Sequence, residues 1–380
     1  MSWENVRLED LCKSITDGDH QALPLVEEGI PFIVIADINS NNRIEFGNAR
    51  YVPFDYYENL DDKRKAQKGD VLLTVKGSFG IPVYVADNNP FVFQRDIAIL
   101  KCNKRINPKF LYYYMKNREF YLYADSIAIG AAQRAITLKS LRNTVIKLPT
   151  LDTQLKIVNL LSAYDDLIEN NQKQIKLLEE AAQRLYKEWF VDLRFPGHEI
   201  TPITDGVPQG WRKVTLGDIA PILTGKKDAN FGTADGVYPF FTCSQEPIKA
   251  PSYSFDTNAV ILAGNGDFNV KLYRGKFEAY QRTYVLSPAE EKYLYLLYNA
   301  VNESMAVLVK GASGSTIKFL TKGMIESIPL FIPTNRLLEQ YNSYSEAVQK
   351  KIECLKCAIV NAMEARDRLL PKLMSGEIEV

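Results

Sequence analysis

Short runs of apolar and β-branched residues, separated by turn residues, predict that the first 151 residues form a domain of strands and helices. The runs that predict strands are residues 30–35, 70–75, 83–85 and 97–100. A longer stretch, residues 110–123, begins after Asn107 and Pro108 and predicts a helix. Because the strands come first and the helix follows, the pattern indicates an α+β domain.

From Asp152 onward the spacing of apolar residues changes to alternating steps of four and three, which is the seam of a coiled coil. The seam positions are Ile157, Leu161, Tyr164, Ile168, Asn171, Ile175, Leu178, Ala182, Leu185 and Trp189. The pattern predicts a long helix over residues 152–195, which Pro196 and Gly197 terminate. At ~1.5 Å per residue, such a helix makes a rod of about 60 Å.

A second seam of the same kind predicts a distal helix over residues 334–373, followed by a tail over residues 374–380. Its positions are Tyr341, Val348, Ile352, Leu355, Ile359, Ala362, Leu369 and Leu373, with Ser345 and Arg366 as polar exceptions. Two long helices in one chain can pair with each other. Each helix leaves its own domain and a short linker brings the chain back, so we expect antiparallel pairing.

The chain repeats itself with a period near 190 residues. Residues 3–11 are echoed by residues 211–219, residues 68–73 by residues 257–262, and Gln94-Arg95 by Gln281-Arg282. A second mixed domain is predicted over residues 211–333, with strands at 259–262 and 284–286 and a helix at 290–305, after a linker over residues 196–210. The expected fold is α+β, with two similar domains, two long antiparallel coiled-coil helices and a pseudo-twofold internal repeat.

Composition narrows the class of protein. The chain has 46 basic and 46 acidic residues, so its net charge does not predict a polyanionic partner. No apolar run reaches the roughly 18 residues that span a bilayer, and the N-terminus lacks the pattern of a signal peptide, so we expect a cytoplasmic protein with no membrane partner. Five scattered cysteines agree with a reducing compartment. Cys354 and Cys357 are interpreted as thiols on neighbouring helix positions, and no metal site is predicted.

Residues 95–118 carry a local excess of positive charge. Seven basic side chains in this stretch face Asp96 as their opposing charge, and Tyr112, Tyr113 and Tyr114 lie among them. Such a patch is typical of a nucleic-acid surface. It is equally typical of a solvated face beside a tyrosine-rich core helix, and the sequence leaves both interpretations open.

Motifs for chemistry are missing from the chain. The nearest match to an adenine methyltransferase motif, Asn88-Asn89-Pro90-Phe91, lacks the second proline, and Gly264-Asn265-Gly266 has no strand-helix context for a nucleotide. The histidines, His20 and His198, lie in a polar loop and in the linker. We therefore predict a binding and positioning protein that is not an enzyme and has no cofactor of its own.

The order of domain, long helix, domain, long helix resembles the specificity subunit of type I restriction-modification systems. The resemblance rests on residues 16–20, 29–33, 68–73, 93–95, 108–112, 148–154 and 185–190, and it is weaker in the second domain. It implies that the two domains are target recognition domains, each reading half of an interrupted double-stranded DNA site. It also implies two partner modification subunits, which carry the S-adenosylmethionine chemistry and dock on the exposed faces of residues 155–190 and 338–370, and restriction or translocase subunits.

Under this interpretation, base-reading side chains should lie on loops at equivalent places in the two halves. Loops with polar side chains and glycines fit, although ordinary turn chemistry also explains the glycines. The candidate DNA-binding residues are Lys76, Ser78, Gln94, Arg95, Gln133, Arg134, Asn265, Lys271, Gln281, Arg282, Ser313 and Ser315. The alternative function is a coiled-coil scaffold that binds protein partners without DNA specificity.

Overall fold

The computed structural model describes residues 3–18, 23–130, 134–314 and 318–380. The chain forms two compact units, each of which includes part of both long helices. The first unit comprises Met1–Glu169 and Ile359–Val380, and the second comprises Asn170–Ala358.

The first unit combines short strands with short helices, and its first segment leads into the first long helix. Its strands are β1 (Glu4–Arg7), β2 (Cys12–Asp17), β3 (Ile30–Ile33), β4 (Arg50–Val52), β5 (Val71–Thr74), β6 (Pro82–Tyr84), β7 (Val92–Phe93), β8 (Ile97–Cys102) and β9 (Val145–Leu148). Its helices are α1 (Phe54–Asn59), α2 (Pro108–Lys116), α3 (Arg118–Ile127), α4 (Leu138–Arg142) and α5 (Leu151–Tyr186).

The second unit has longer strands and a longer domain helix. Its strands are β10 (Ile203–Thr204), β11 (Val207–Pro208), β12 (Arg212–Thr215), β13 (Ile222–Thr224), β14 (Tyr238–Phe241), β15 (Ile248–Ala250), β16 (Phe255–Ala263), β17 (Val270–Ala279), β18 (Thr283–Leu286) and β19 (Pro329–Ile332). Its helices are α6 (Leu216–Ile219), α7 (Leu294–Gly311), α8 (Lys322–Glu326) and α9 (Asn335–Ser375).

The two units have corresponding strand orders, although they divide the strands into sheets differently. The first unit has a four-stranded sheet in the order β2-β8-β5-β6, a three-stranded sheet β4-β3-β7, and the pair β1-β9. The second has a six-stranded sheet in the order β13-β18-β16-β17-β14-β15 and the pair β12-β19. The antiparallel pairs β1-β9 and β12-β19 each lead into a long helix, and β3 runs parallel to β7 as β14 runs parallel to β17.

The two long helices pack on each other along the predicted seams. Every predicted seam position of α5 and of the turn after it is buried or half-buried, and so are those of α9, including the polar exceptions Ser345 and Arg366. In the first unit Asp165 bonds Arg366, and in the second Trp189 packs on Tyr341. Later residues of one helix meet earlier residues of the other, as antiparallel pairing requires. The predicted α+β fold with two similar domains and two paired long helices is confirmed.

Four predicted elements differ in detail from the structure. The long helix predicted over residues 152–195 ends as an α-helix at Tyr186 and continues as a π-helical turn over Lys187–Val191. The helix predicted over residues 110–123 breaks into α2 and α3 at Asn117, because the Asn117 side chain accepts from the backbone NH of Glu119 and caps a new helix. The helix predicted from residue 290 begins as a 3-10 turn over Glu291–Tyr293, and α7 starts at Leu294. The predicted linker contains the hairpin β10-β11, whose turn residues Asp205 and Gly206 both have positive φ.

Each unit has its own core, to which the long helices contribute. In the first unit Ile157 and Leu161 of α5 and Leu373 of α9 join the core of the domain. In the second, Trp189 and Phe190 lie in a π-helical turn after α5 and pack on Tyr341 and Trp211. Across the described residues, we find no helix with the length and apolar character that a membrane span needs.

Candidate nucleic-acid interface

In the first unit, three loops of the chain meet at one end of the central sheet. They are residues 75–79, 94–97 and 134–138, which we call the first loop cluster. The backbone NH of Val75 donates to the carbonyl of Asp96 (2.8 Å), and the NH of Ile136 donates to the carbonyl of Val75 (2.8 Å). Because backbone bonds hold the loops together, the side chains on them can vary without loss of the framework.

The second unit builds the same arrangement from residues 263–267, 280–283 and 318–320, the second loop cluster. The NH of Gly264 donates to the carbonyl of Arg282 (2.8 Å), and the NH of Leu320 donates to the carbonyl of Gly264 (2.8 Å). The third loop is pinned in the same way in both units, by paired bonds between Ile129 and Ala135 and between Ser313 and Phe319. The backbone of the cluster is therefore duplicated.

Glycines permit the close packing of both clusters. A Cβ on Gly18 would lie 2.2 Å from the carbonyl oxygen of Phe93, and a Cβ on Gly225 would lie 2.0 Å from that of Ala279. Both distances are far shorter than a carbon-oxygen contact allows, so these positions accept glycine alone without movement of the strand. Gly77 and Gly266, which occupy equivalent places in the clusters, have φ values of 71° and 66°.

The two copies of the Gln-Arg dipeptide, Gln94-Arg95 and Gln281-Arg282, differ by one residue in their position within the turn. In the first unit the turn is closed by a bond from the NH of Ile97 to the carbonyl of Gln94 (3.0 Å). In the second it is closed by a bond from the NH of Thr283 to the carbonyl of Tyr280 (2.8 Å). Arg95 thus shares its turn position with Gln281, and Asp96 shares its position with Arg282.

The first cluster borders a shallow cleft of about 340 Å³. Two predicted residues, Lys76 and Arg95, line it together with Asp17 and Asp96. Gln94 bonds Asp96 through its amide (3.0 Å), whereas Arg95 is exposed and makes no ion pair within the described residues. The structure therefore brings Lys76, Gln94 and Arg95 together and leaves Arg95 available for an external anion or base edge.

The other predicted residues of the first half are placed differently. Arg134 bonds both the carboxylate and the backbone carbonyl of Asp125, and its guanidinium lies 5.8 Å from the ring centre of Phe79. Ser78 is exposed at the tip of its loop. Gln133, the neighbouring alanines 131 and 132 of the Gly-Ala loop, and His20 lie outside the described residues, as does Ser315 of the second half.

The predicted residues of the second half are embedded in local hydrogen bonds. Asn265 accepts from the thiol of Cys243 (2.8 Å), and Gln281 donates to Asp228 (2.6 Å). Lys271 donates to the carbonyl of Ser244 (2.8 Å), and partial burial lowers the pKa of its ammonium group. Arg282 and Ser313 are exposed.

The basic stretch of residues 95–118 does not form one positive face. Lys101 pairs with Asp70 (2.7 Å) and Arg105 with Glu4 (3.1 Å), while Lys116 turns toward Asp165. Tyr112 and Tyr113 of α2 are buried in the core of the unit. Of the two interpretations that the sequence left open, the structure favours the tyrosine-rich core helix.

Sequence reasoning missed several residues that shape the site. Gly18 and Gly225 hold the clusters close, and Cys243 and Asp228 orient predicted residues of the second half. The repetition of a glycine after a strand in each half was the available signal. In the part of the chain that the structure describes, no cluster of three or more His, Cys, Asp or Glu side chains could hold a metal ion.

Known proteins are similar to this chain in sequence. A family model described as "Type I restriction modification DNA specificity domain" matches residues 1–180 and 208–352. The EcoDI specificity subunit of Escherichia coli is 38% identical over 168 residues, which cover 44% of this chain and 36% of that protein. The MjaIX specificity subunit of Methanocaldococcus jannaschii is 27% identical over 344 residues, covering 82% and 78% of the two chains.

A solved structure has the same fold. The S subunit of a type I restriction-modification system from M. genitalium superposes with a TM-score of 0.59 at 16% identity, over 98% of this chain and 96% of that one. The family model covers most of the chain in two segments, one for each copy of the repeat. The chain therefore belongs to the family of type I restriction-modification DNA specificity domains.

Proposed function

We propose that this specificity chain reads an interrupted double-stranded DNA site, with residues 1–151 as one target recognition domain and residues 211–333 as the other. The observation that carries the proposal is the duplicated loop cluster, whose backbone bonds repeat while its side chains differ. A shared framework with different side chains suits two domains that read different half-sites. Sequence is read from base edges by such side chains, whereas contacts to phosphate fix the register.

Within each domain we assign base reading to the turn and the glycine loop of the cluster. Arg95 and Lys76 are the candidate donors of the first half, and Gln281, Arg282 and Asn265 are those of the second. Arginine suits guanine because its planar fork can make two parallel bonds, and amide side chains suit adenine for the same reason. Gly77 and Gly266 leave room for the backbone to approach a phosphate group.

Specificity chains are non-catalytic parts of type I complexes, so the chemistry of modification belongs to partners. We propose two modification subunits, which hold S-adenosylmethionine and methylate one adenine in each half-site, and restriction subunits beside them. The adenine must leave the base stack to reach a methyltransferase pocket, so the role of this chain is to position the partner over it. Exposed residues of α5 and α9, such as Leu155, Leu177 and Val360, are candidate docking contacts.

The rival function, a scaffold that binds proteins through its two domains, gives no reason for the duplicated polar clusters. A protein scaffold would also be expected to expose apolar anchors at equivalent places. The clusters instead carry Lys76 and Arg95 in one half and Arg282 in the other.

The test is methylation of a DNA pool with random half-sites and a variable gap, by this chain co-expressed with its methyltransferase subunits. We expect methylated molecules to share two short half-sites separated by an unread gap of fixed length. A gel-shift assay of the chain with the same pool, with and without the methyltransferase, measures binding directly. Methylation that shows one continuous site, or no preferred site, contradicts the proposal.

A further inference from the structure

A buried charged junction joins three helices of the first unit. Asp165 of α5 accepts a hydrogen bond from the hydroxyl of Tyr113 (2.7 Å) on α2. Its other carboxylate oxygen accepts from the guanidinium of Arg366 (2.7 Å) on α9. Lys116, also on α2, places its ammonium nitrogen 4.0 Å from the same oxygen. One carboxylate thus connects the domain helix to both long helices.

The junction is largely shielded from water. The side chains of Asp165, Lys116 and Arg366 are 17%, 16% and 9% exposed. Burial alone would raise the pKa of Asp165, but the charge of Lys116 and the bonds from Tyr113 and Arg366 outweigh it and hold that pKa below its usual range. Burial, with the nearby Asp165, raises the pKa of Tyr113, so its hydroxyl keeps the proton that it donates.

Arg366 places a charged side chain at a seam position of α9, where most positions are apolar and Ser345 is the other polar exception. A polar residue at such a position lowers stability but specifies one register of the two helices, because other registers leave it without a partner. The neighbouring seam positions one heptad away are Ile359 and Leu373, and neither can bond Asp165. Displacement of α9 along α5 would therefore break the bond between Arg366 and Asp165. Arg366 would keep its pair with Asp367 of its own helix (2.8 Å), and Asp165 would keep Tyr113 and Lys116 of α2.

In the second unit, separate hydrogen bonds hold the domain helix α7 to each of the two long helices. Asn299 of α7 donates to the hydroxyl of Tyr341 on α9 (2.8 Å). Gln183 of α5 donates to Glu303 of α7 (2.6 Å). Glu179 of α5 lies near Lys356 of α9 and Tyr298 of α7, but among the described residues of this unit no carboxylate has hydrogen bonds or ion pairs to two other helices as Asp165 has. The charged junction thus belongs to one copy of the repeat.

We propose that Asp165 is a positioning residue that fixes the first recognition domain on the helix pair and so restricts the gap between the two half-sites. The inference rests on the proposed function. One base pair is ~3.4 Å along DNA, a little over two residues of helix rise at ~1.5 Å each, so a displacement of less than one helical turn changes the gap. A junction that tolerates one register is therefore a device for gap specificity.

The experiment compares gap profiles in the complete complex with the methyltransferase subunits. DNA substrates carry the half-sites found for the wild-type chain, with gaps from about four base pairs shorter to four longer than the preferred one, because a shift of one heptad corresponds to about three base pairs. The key variant is the double substitution Asp165→Leu with Arg366→Leu, which removes the ion pair between the two long helices. It also leaves Tyr113 and Lys116 without their carboxylate partner, so its folding is checked by thermal unfolding. Asp152→Asn is the matched control, because Asp152 lies on the same helix in an exposed pair with Lys156 (3.3 Å).

We expect the double variant to methylate neighbouring gap lengths about tenfold better, relative to the preferred gap, than the wild-type chain does. Tenfold corresponds to a positional preference of about 1.4 kcal/mol. The half-site sequences should not change, and Asp152→Asn should keep the wild-type profile. A merely structural role would lower methylation at every gap length equally and would leave the profile as narrow as before.

The outcomes separate the two proposals. A wild-type complex with no interrupted site overturns the proposed function, and with it the basis of this inference. A wild-type complex with a narrow gap and a folded double variant with the same narrow gap overturns the inference alone. Where the double variant fails to fold, Tyr113→Phe replaces it, because this change removes only the hydroxyl that donates to Asp165. A smaller broadening of the gap profile then supports the role of Asp165, and an unchanged gap profile contradicts it.

Discussion

Replacement of Arg95 by alanine should weaken recognition of one half-site and leave the protein as stable as before. Arg95 is exposed at the turn between β7 and β8, lines the first cleft, and makes no ion pair within the described residues. The substitution therefore removes no internal contact of the folded chain. We expect the free energy of unfolding to change by less than about 0.5 kcal/mol.

The loss in DNA binding depends on what the guanidinium contacts. A bidentate bond to guanine contributes about 1 to 3 kcal/mol, which is about a 5- to 150-fold loss of affinity, and its removal relaxes the preference at one base pair. A phosphate contact would weaken all sequences alike and reduce the slope of log affinity against log salt by about one unit. We expect the first result, because the turn presents Arg95 at the cleft with Lys76 beside it.

The assay is methylation of a pool in which each half-site is randomised separately, together with gel shifts at two salt concentrations. Arg105→Ala is the matched control, because Arg105 is paired with Glu4 on an exposed surface, where an ion pair contributes little. Equal relaxation of both half-sites by Arg95→Ala would refute the assignment of one domain to each. An equal effect of Arg105→Ala would show that the loop cluster is not the reading surface.

Three further results are expected. Gly225→Ala should lower the free energy of unfolding by about 1 to 3 kcal/mol, since the new Cβ meets a carbonyl oxygen at 2.0 Å. Thermal unfolding measures the change, and Gly47→Ala is the control, because a Cβ at Gly47 meets nothing within 4 Å. Asp165→Asn should lower the free energy of unfolding by about 3 kcal/mol near pH 7, measured by denaturant unfolding. Because folding lowers the pKa of Asp165, the stabilisation by its carboxylate is present above the unfolded pKa of about 4. The difference between the variant and the wild type should therefore shrink as the pH falls through the folded pKa. Deletion of one heptad from each long helix should shorten the gap by about three base pairs and leave both half-sites unchanged in the methylation assay; an altered half-site with an unaltered gap would contradict the role of the helices in spacing.

The sequence predicted the long helices well because their burial follows a local period. Each seam residue can be assigned from neighbours three and four positions away, and the structure buries these positions as expected. The repeat of whole domains was also legible, since the framework segments recur in the same order. The break between α2 and α3 was missed, although Asn117 followed by Glu119 is a recognisable start of a helix.

Contacts between distant parts of the chain could not be predicted from the sequence. Asp165 and Arg366 are 201 residues apart, and Arg366 appeared in the sequence as an exception to an apolar seam. The pairing of charges in the basic stretch was also hidden, because Arg105 finds its partner 101 residues away at Glu4. A polar residue at a seam position does indicate that a buried partner exists, but only the structure identifies that partner.

The turn between β7 and β8 and its counterpart between β17 and β18 show that a repeated dipeptide need not occupy equivalent structural positions in the two halves of a duplicated fold. By their backbone bonds, Val75 is equivalent to Gly264, and Gln94 of the turn is equivalent to Tyr280. The two residues of the turn pair are three residues closer in sequence than those of the first pair. The Gln-Arg dipeptide lies one position later in the turn of the second unit than in the turn of the first. The first cluster therefore presents a guanidinium and then a carboxylate at the two turn positions, and the second presents an amide and then a guanidinium. Gln281→Ala, rather than Arg282→Ala, is the structural counterpart of Arg95→Ala, and the two halves should differ in which base of the half-site they read through this turn.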